Sequence, residues 1–151
     1  MPKWHVVSGA IFSLLLVLLF DIGWASACLV FLSSVLIDLD HYVLYFASEK
    51  KLHPFDFWDW SIKRNLLWKK FSRRERDLHK RPHFLLHGIE VVLLLWILSL
   101  FFGFFFWIFL GFGLHICLDL IDNILFAYHP ASKFSQIWTW HRNKKKKKVL
   151  R

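Results

Sequence analysis

Two carboxylates and an imidazole close one of the most apolar stretches of the chain, at Asp38-Leu39-Asp40-His41. Ionisable side chains in such surroundings are costly and usually line a site or a pathway. Three further segments bring similar groups: His5; then His83, His87 and Glu90; then His115, Asp119 and Asp122. His83, His87 and Glu90 fall at i, i+4 and i+7, one face of a predicted helix, and His115, Asp119 and Asp122 repeat that spacing. Asp38 and His41 are i and i+3, so Asp40 points elsewhere or supports a ligand from behind. Imidazole and carboxylate pairs at helical spacing suit a divalent cation, zinc first, with manganese and iron compatible. Together His5, Asp38, His41, His83, His87, His115 and Asp119 would supply one ion fully or two partly. Two neighbouring ions favour attack of activated water on a phosphoester. Glu90 and Asp122 are then candidate general bases, or partners that orient a ligand imidazole.

Each residue has a plainer explanation when taken alone. A single histidine among apolar residues is more often a hydrogen-bonded packing residue than a ligand. His5 beside Trp4 reads as interfacial, Asp122 as a helix cap and Asp40 as a solvated carboxylate. His53, His79, His129 and His141 lie in polar segments and read as surface residues, with His79 a reserve ligand four residues before His83. Coincidence is a poor account of the whole set, because Asp21 is the only charge in the opposite half of the apolar segments.

The elements that must position these residues are membrane helices. The chain has 151 residues, 56% of them hydrophobic, with 17 Phe and 9 Trp, more aromatic surface than a soluble domain of this size can bury. Val6–Phe20, Trp24–Ile37 continuing to about Tyr45, His83–Phe102 and Phe104 to about Phe126 read as four transmembrane helices in an all-α, polytopic protein. The first two form a hairpin turned at Asp21-Ile22-Gly23, with Gly23 as the helix stop, and Gly103 turns the second pair. Gly111 and Gly113 are placed to let the fourth helix approach a neighbour closely. The first run passes into a second, as in an uncleaved signal-anchor helix. Cys28 and Cys117 lie in apolar runs without paired spacing and read as small buried hydrophobes.

Residues 46–82 form a basic, aromatic insertion within a membrane domain spanning 1–130, and 131–151 form a basic tail. The insertion shows no clean amphipathic stripe, and a helix near the headgroup layer is the expectation for it. The net charge is +9, and every Lys and Arg lies at Lys3, in the insertion or in the tail. The turns at residues 21–23 and 103 carry none, so the positive-inside rule places both termini and the insertion in the cytoplasm of a multi-pass cell-membrane protein. With that topology all four ionisable groups lie in one layer at the cytoplasmic face. Lys144–Lys148 suit anionic lipid headgroups, and no recognisable nucleic-acid fold accompanies the basic charge, so membrane lipids are the expected partner.

The order of these residues resembles a known family. An N-terminal His before a small-residue helix, Asp-x-Asp-His after the second helix, a His pair opening the third and His-x-x-x-Asp in the fourth are similar to the membrane-bound metal-dependent hydrolases. These are a bacterial and archaeal family also described as LexA-binding inner-membrane-associated hydrolases. The resemblance runs from His5 to Asp122, without the insertion and the tail. It implies a metal site of His5, Asp38, Asp40, His41, His87, His115 and Asp119, and hydrolase activity. Ile37 stands where the family has Pro, and His79-Lys80-Arg81-Pro82-His83 replaces its His-Arg-Gly-x-Thr-His run, leaving His79 and His83 open as counterparts.

The leading expectation is therefore a membrane-embedded hydrolase acting on a lipid or lipid-linked phosphoester. A metal-ion or proton transporter is the first alternative, and it requires polar groups through the outer half of the membrane, where only serines such as Ser13, Ser26, Ser33, Ser34 and Ser99 are found. A membrane-anchored interaction module using the insertion and tail is the second.

Overall fold

The computed structural model describes residues 2–125, 135–146 and 148–149. The architecture is all-α apart from one two-residue bridge. Helix α1 is Pro2–Phe20, α2 Trp24–Leu36, α3 Leu39–Glu49, α4 Pro54–Lys70 and α5 Arg73–Leu78. After the short strand β1 (His79–Lys80) come α6 (Ile89–Ser99), α7 (Gly103–Leu125), α8 (Gln136–Lys144) and β2 (Lys148–Val149), which pairs in parallel with β1. His129 and the end of the fourth apolar run at Phe126 lie outside the described residues.

Among the described residues, two stretches are long and apolar enough to cross a membrane: Trp24–Glu49, of 26 residues, and Gly103–Asp122, of 20. Trp4–Phe20 and Ile89–Ser99 are shorter apolar helices. Large apolar side chains such as Leu18, Leu19, Phe20, Trp24, Leu100 and Phe101 are exposed, an extensive apolar surface of the kind that marks interaction with lipid or protein.

The turns differ in detail from expectation. Asp21, at φ 52°, takes the left-handed conformation that ends α1, and its amide bonds to the Val17 carbonyl at 3.1 Å. An Asp tolerates this region better than most side chains. Gly23 is instead the extended residue that starts α2. Between α2 and α3 the chain stays right-handed through Ile37 and Asp38, and His41 N–H reaches only to the Asp38 carbonyl, at 3.0 Å. This one-turn tightening lets a single apolar stretch continue to Glu49 while re-aiming the side chains around the Asp-x-Asp-His motif.

The third helix corrects the sequence reading most. It begins at Ile89, not His83, and residues 81–88 are non-helical. Pro82 disfavours helix at Arg81, and Gly88 is extended at φ −138°. His83, His87 and Glu90 therefore do not share a helix face. The insertion is helical, as α4 and α5, with Pro54 opening α4 and a Ser72–Glu75 capping box opening α5. The Ser72 hydroxyl and amide hold the Glu75 carboxyl below its usual range. Phe57 and Trp60 seat α4 on Tyr45 of α3, with ring centroids 5.7 and 5.5 Å away.

Packing centres on α2, which lies against both α1 and α7, while α7 also packs on α6. The core joins Ile37, Val92 and Ile116, flanked by Leu86, Ile89, Phe109 and Phe112. Small residues set the spacing. A Cβ on Gly111 would lie 2.4 Å from the Val30 carbonyl oxygen and 3.0 Å from the Ser34 amide nitrogen, so α2 and α7 touch backbone to backbone there. Gly113 meets nothing within 4 Å and plays no such part. Gly111→Ala should destabilise the protein by about 1–3 kcal/mol through overpacking, lowering its melting temperature in detergent. Gly113→Ala should match or exceed wild type, because alanine is the better helix former by up to about 1 kcal/mol.

Candidate metal centre

Three helices, one turn and one loop deliver the polar cluster. His5 comes from the first turns of α1, Asp38 from the tightened turn before α3, and Asp40 and His41 from α3 itself. His87 comes from the loop before α6, and His115 and Asp119 stand one turn apart on α7. His5, His87, His115 and Asp119 are buried, while Asp38, Asp40 and His41 are half-buried.

The imidazoles are oriented from behind. His115 Nδ1 lies 2.8 Å from the Ser34 carbonyl oxygen, which can only accept, so Nδ1 carries the proton and Nε2 has the lone pair. His87 Nδ1 lies 3.0 and 3.1 Å from the two oxygens of Asp40, which likewise hold its proton. Asp40 also accepts the Leu86 amide at 3.0 Å, tying the loop to α3. The result is two Nε2 atoms facing one another at 3.2 Å. Two bare lone pairs at that distance repel, and only a proton or a cation between them relieves it.

Other atoms converge on the same point. Asp38 Oδ1 is 3.4 Å from His87 Nε2, 3.7 Å from His115 Nε2 and 3.6 Å from His41 Nε2. On the far side of His115, the His5 ring stacks at 4.1 Å and His5 Nε2 is 3.7 Å from Asp119 Oδ1. Two triads result, His5 with His115 and Asp119, and Asp38 with His41 and His87, each with its ligand atoms within 4.8 Å of one another. Ligands about 2.0–2.1 Å from a tetrahedral ion lie roughly 3.3–3.4 Å apart. The spacings among His87, His115 and Asp38, 3.2, 3.4 and 3.7 Å, bracket that edge. These buried His and Asp groups could hold a metal ion, and the donor set fits one.

Other candidates from the sequence lie elsewhere. His83 is exposed, and its Nε2 accepts from Asn143 Nδ2 at 3.2 Å; the missing helical turn carries it away from His87. His79 is bonded through Nδ1 to the Glu75 carbonyl at 3.0 Å and stacks on Phe71 at 5.3 Å. Glu90 accepts the Ser135 hydroxyl at 2.6 Å and the amides of Ile137 and Gln136 at 3.2 and 3.3 Å, so it anchors the start of α8. Asp122 is part-buried and belongs to neither triad. Asp40 is the residue whose part the spacing left open, and it is the support behind His87. The only sequence signal for that was its place in Asp-x-Asp-His.

Comparison of the chain with known protein families, curated proteins and solved structures returns no match.

Asp40→Asn should weaken zinc binding by about 10- to 100-fold, the range for residues that orient a ligand imidazole. His83→Ala should leave it unchanged. Competition with a chromophoric chelator measures both.

Proposed function

We propose that this chain is a four-span integral membrane protein whose polar cluster binds a divalent cation, zinc first, and hydrolyses a phosphoester of a lipid or lipid-linked substrate. The observation that carries the reading is the pair of opposed Nε2 atoms on His87 and His115, 3.2 Å apart, with both Nδ1 protons already committed. A proton would satisfy that pair alone, but it would not account for Asp38, His41, His5 and Asp119 gathering around it.

Depth favours a lipid substrate. At 1.5 Å per residue, His115 lies about 18 Å along α7 from Gly103, and Asp38 about 21 Å beyond Trp24. A hydrocarbon core is about 30 Å thick, so a cluster at that distance from the outer turns lies inside the cytoplasmic half of the bilayer. The half-buried members, Asp38 and His41, form its more open side, and His5, His87, His115 and Asp119 its closed side. A headgroup drawn down to that layer meets Asp38 and His41 first. The basic residues of the insertion and tail surround the approach and attract phosphate. The segments reach the membrane as α1, α2 with α3, α6 and α7, with both termini cytoplasmic by the distribution of Lys and Arg.

Within the cluster, His87, His115 and Asp38 would hold one ion at the opposed Nε2 atoms, and His41, His5 and Asp119 would complete its shell or take part in holding a second. A bound divalent cation supplies Lewis acidity and brings the pKa of water toward neutrality. Asp40 keeps the proton of His87 on Nδ1 and the Ser34 carbonyl keeps that of His115 on Nδ1, so both Nε2 atoms stay available. Glu90 is occupied by the α8 donors, which removes it as a general base and leaves the cluster's own carboxylates for that work.

The membrane, metal and substrate assignments are tested together on purified protein. Wild type should contain zinc and release phosphate from lipid phosphates. Asp38→Ala and His87→Ala should each lose more than about 100-fold in metal affinity, beyond the effect of residues behind a ligand. Full activity in both variants refutes the site. Zinc flux into liposomes without hydrolysis would instead favour a transporter. The hydroxyls of Ser13, Ser33 and Ser34 argue against that, because each turns to a carbonyl of its own helix.

A further inference from the structure

His87 sits on a loop that lacks regular pairing of its own, so its backbone groups must be satisfied from elsewhere. They are satisfied largely by α8. Phe84 N–H donates to Gln136 Oε1 at 3.0 Å, and Gln136 Nε2 donates to the His87 carbonyl at 2.9 Å. At the other end of the loop, Arg81 N–H donates to Asn143 Oδ1 at 3.0 Å and the Arg81 carbonyl accepts from Asn143 Nδ2 at 2.8 Å. Arg142 reaches the carbonyls of His79 and Arg76 at 3.0 and 3.4 Å. Glu90, just after the loop, receives the first turn of α8. Gln136, Thr139 and Asn143 stand at i, i+3 and i+7, so this inner face is one stripe, with Thr139 fully buried in it.

The outer face has a different chemistry. Ile137, Trp140 and Lys144 follow the same spacing one residue on, a flanking stripe about 100° around the helix, with Ile137 60% and Trp140 50% exposed. Lys144 Nζ lies 3.4 Å from the Trp140 ring centroid, and the chain continues through Lys145 to Lys148. An apolar residue, an exposed indole and a run of ammonium groups complement an anionic lipid surface, where the indole seats at headgroup level and each lysine adds attraction. One short helix thus carries the His87 loop on one stripe and, on the stripe flanking it, a surface for anionic headgroups.

We propose that α8 is a lipid-responsive clamp: docking of its outer face on anionic headgroups holds its inner face against residues 81–88 and fixes His87 for metal binding. This rests on the membrane and metal reading above. On neutral lipid the outer face gains little, α8 loosens, and the loop that aims His87 loosens with it. Gln136 and Asn143 are positioning residues that bond backbone groups of the loop, Gln136 at the His87 carbonyl itself, and not the side chains of the cluster.

The test uses the full chain in nanodiscs of phosphatidylcholine alone or mixed with phosphatidylglycerol. It reads zinc affinity by chelator competition and hydrogen–deuterium exchange of residues 83–88. Wild type should bind zinc roughly tenfold more tightly with phosphatidylglycerol, the lower end of the effect of ligand-orienting groups, and exchange at 83–88 should slow. The exposed double variant Lys144→Glu/Lys145→Glu, which leaves the inner face intact, should show neutral-lipid values in both discs. Gln136→Ala should bind zinc yet lose the lipid response. Equal affinity and equal exchange in the two lipids for wild type, or a full response in the double lysine variant, would overturn the clamp. Lipid-dependent exchange in a protein that binds no zinc in either disc would uphold the clamp and remove the metal reading instead.

Discussion

The opposition of His87 and His115 governs the rest of the cluster. Each imidazole has its Nδ1 proton spoken for, by the Asp40 carboxylate and by the Ser34 carbonyl, and the two Nε2 atoms are left at 3.2 Å. Such a contact persists only if the backbones behind it are held. Behind His115 that support is the close approach of α2 and α7 at Gly111, one turn earlier on the same helix, which brings the second helix's carbonyl within reach. Behind His87 it is Asp40 on α3 and the hydrogen bonds supplied by α8. The polar centre and the apolar packing are therefore one construction, since the small-residue contact between helices also positions a proton.

Position in the chain says little about which residues cooperate. Asp38 and Asp40 are separated by one residue and would point apart on a regular helix. The tightened turn at Asp38 changes this: Asp38 addresses Nε2 of His87 and Asp40 addresses Nδ1. From this three-residue step Asp40 holds the ring through Nδ1–H, while Asp38 sets a carboxylate beside the bare Nε2. The order of the motifs grouped all these residues, but it did not separate those that face the centre from the one that stands behind it.

Much of the fold was legible because apolar runs and basic flanks are composition-level signals. The helix content follows from them, as does a long stretch from Trp24, expected to about Tyr45 and running on to Glu49. The gathering of His5, Asp38, His41, His87, His115 and Asp119 was read from where those residues fall along the runs. The failures share a cause. His83 fits an i, i+4 pattern with His87, but Pro82 and an extended Gly88 keep residues 81–88 out of a helix, and that loop is stabilised by residues about 50 positions away. Glu90 looked like a base because it follows a histidine by three residues, whereas the donors that claim it come from Ser135 to Ile137. Local spacing cannot reveal a partner that arrives from the far end of the chain.

The hold of Asp40 on His87 also bears on time. An imidazole whose Nδ1–H is held by a carboxylate cannot swing aside by a rotamer change while Asp40 stays bonded to it and to the Leu86 amide. An ion held by that ring would leave on the schedule of the loop's opening, a collective event slower than side-chain rotation. The tie between Asp40 and the loop thereby makes residence time a property of the backbone.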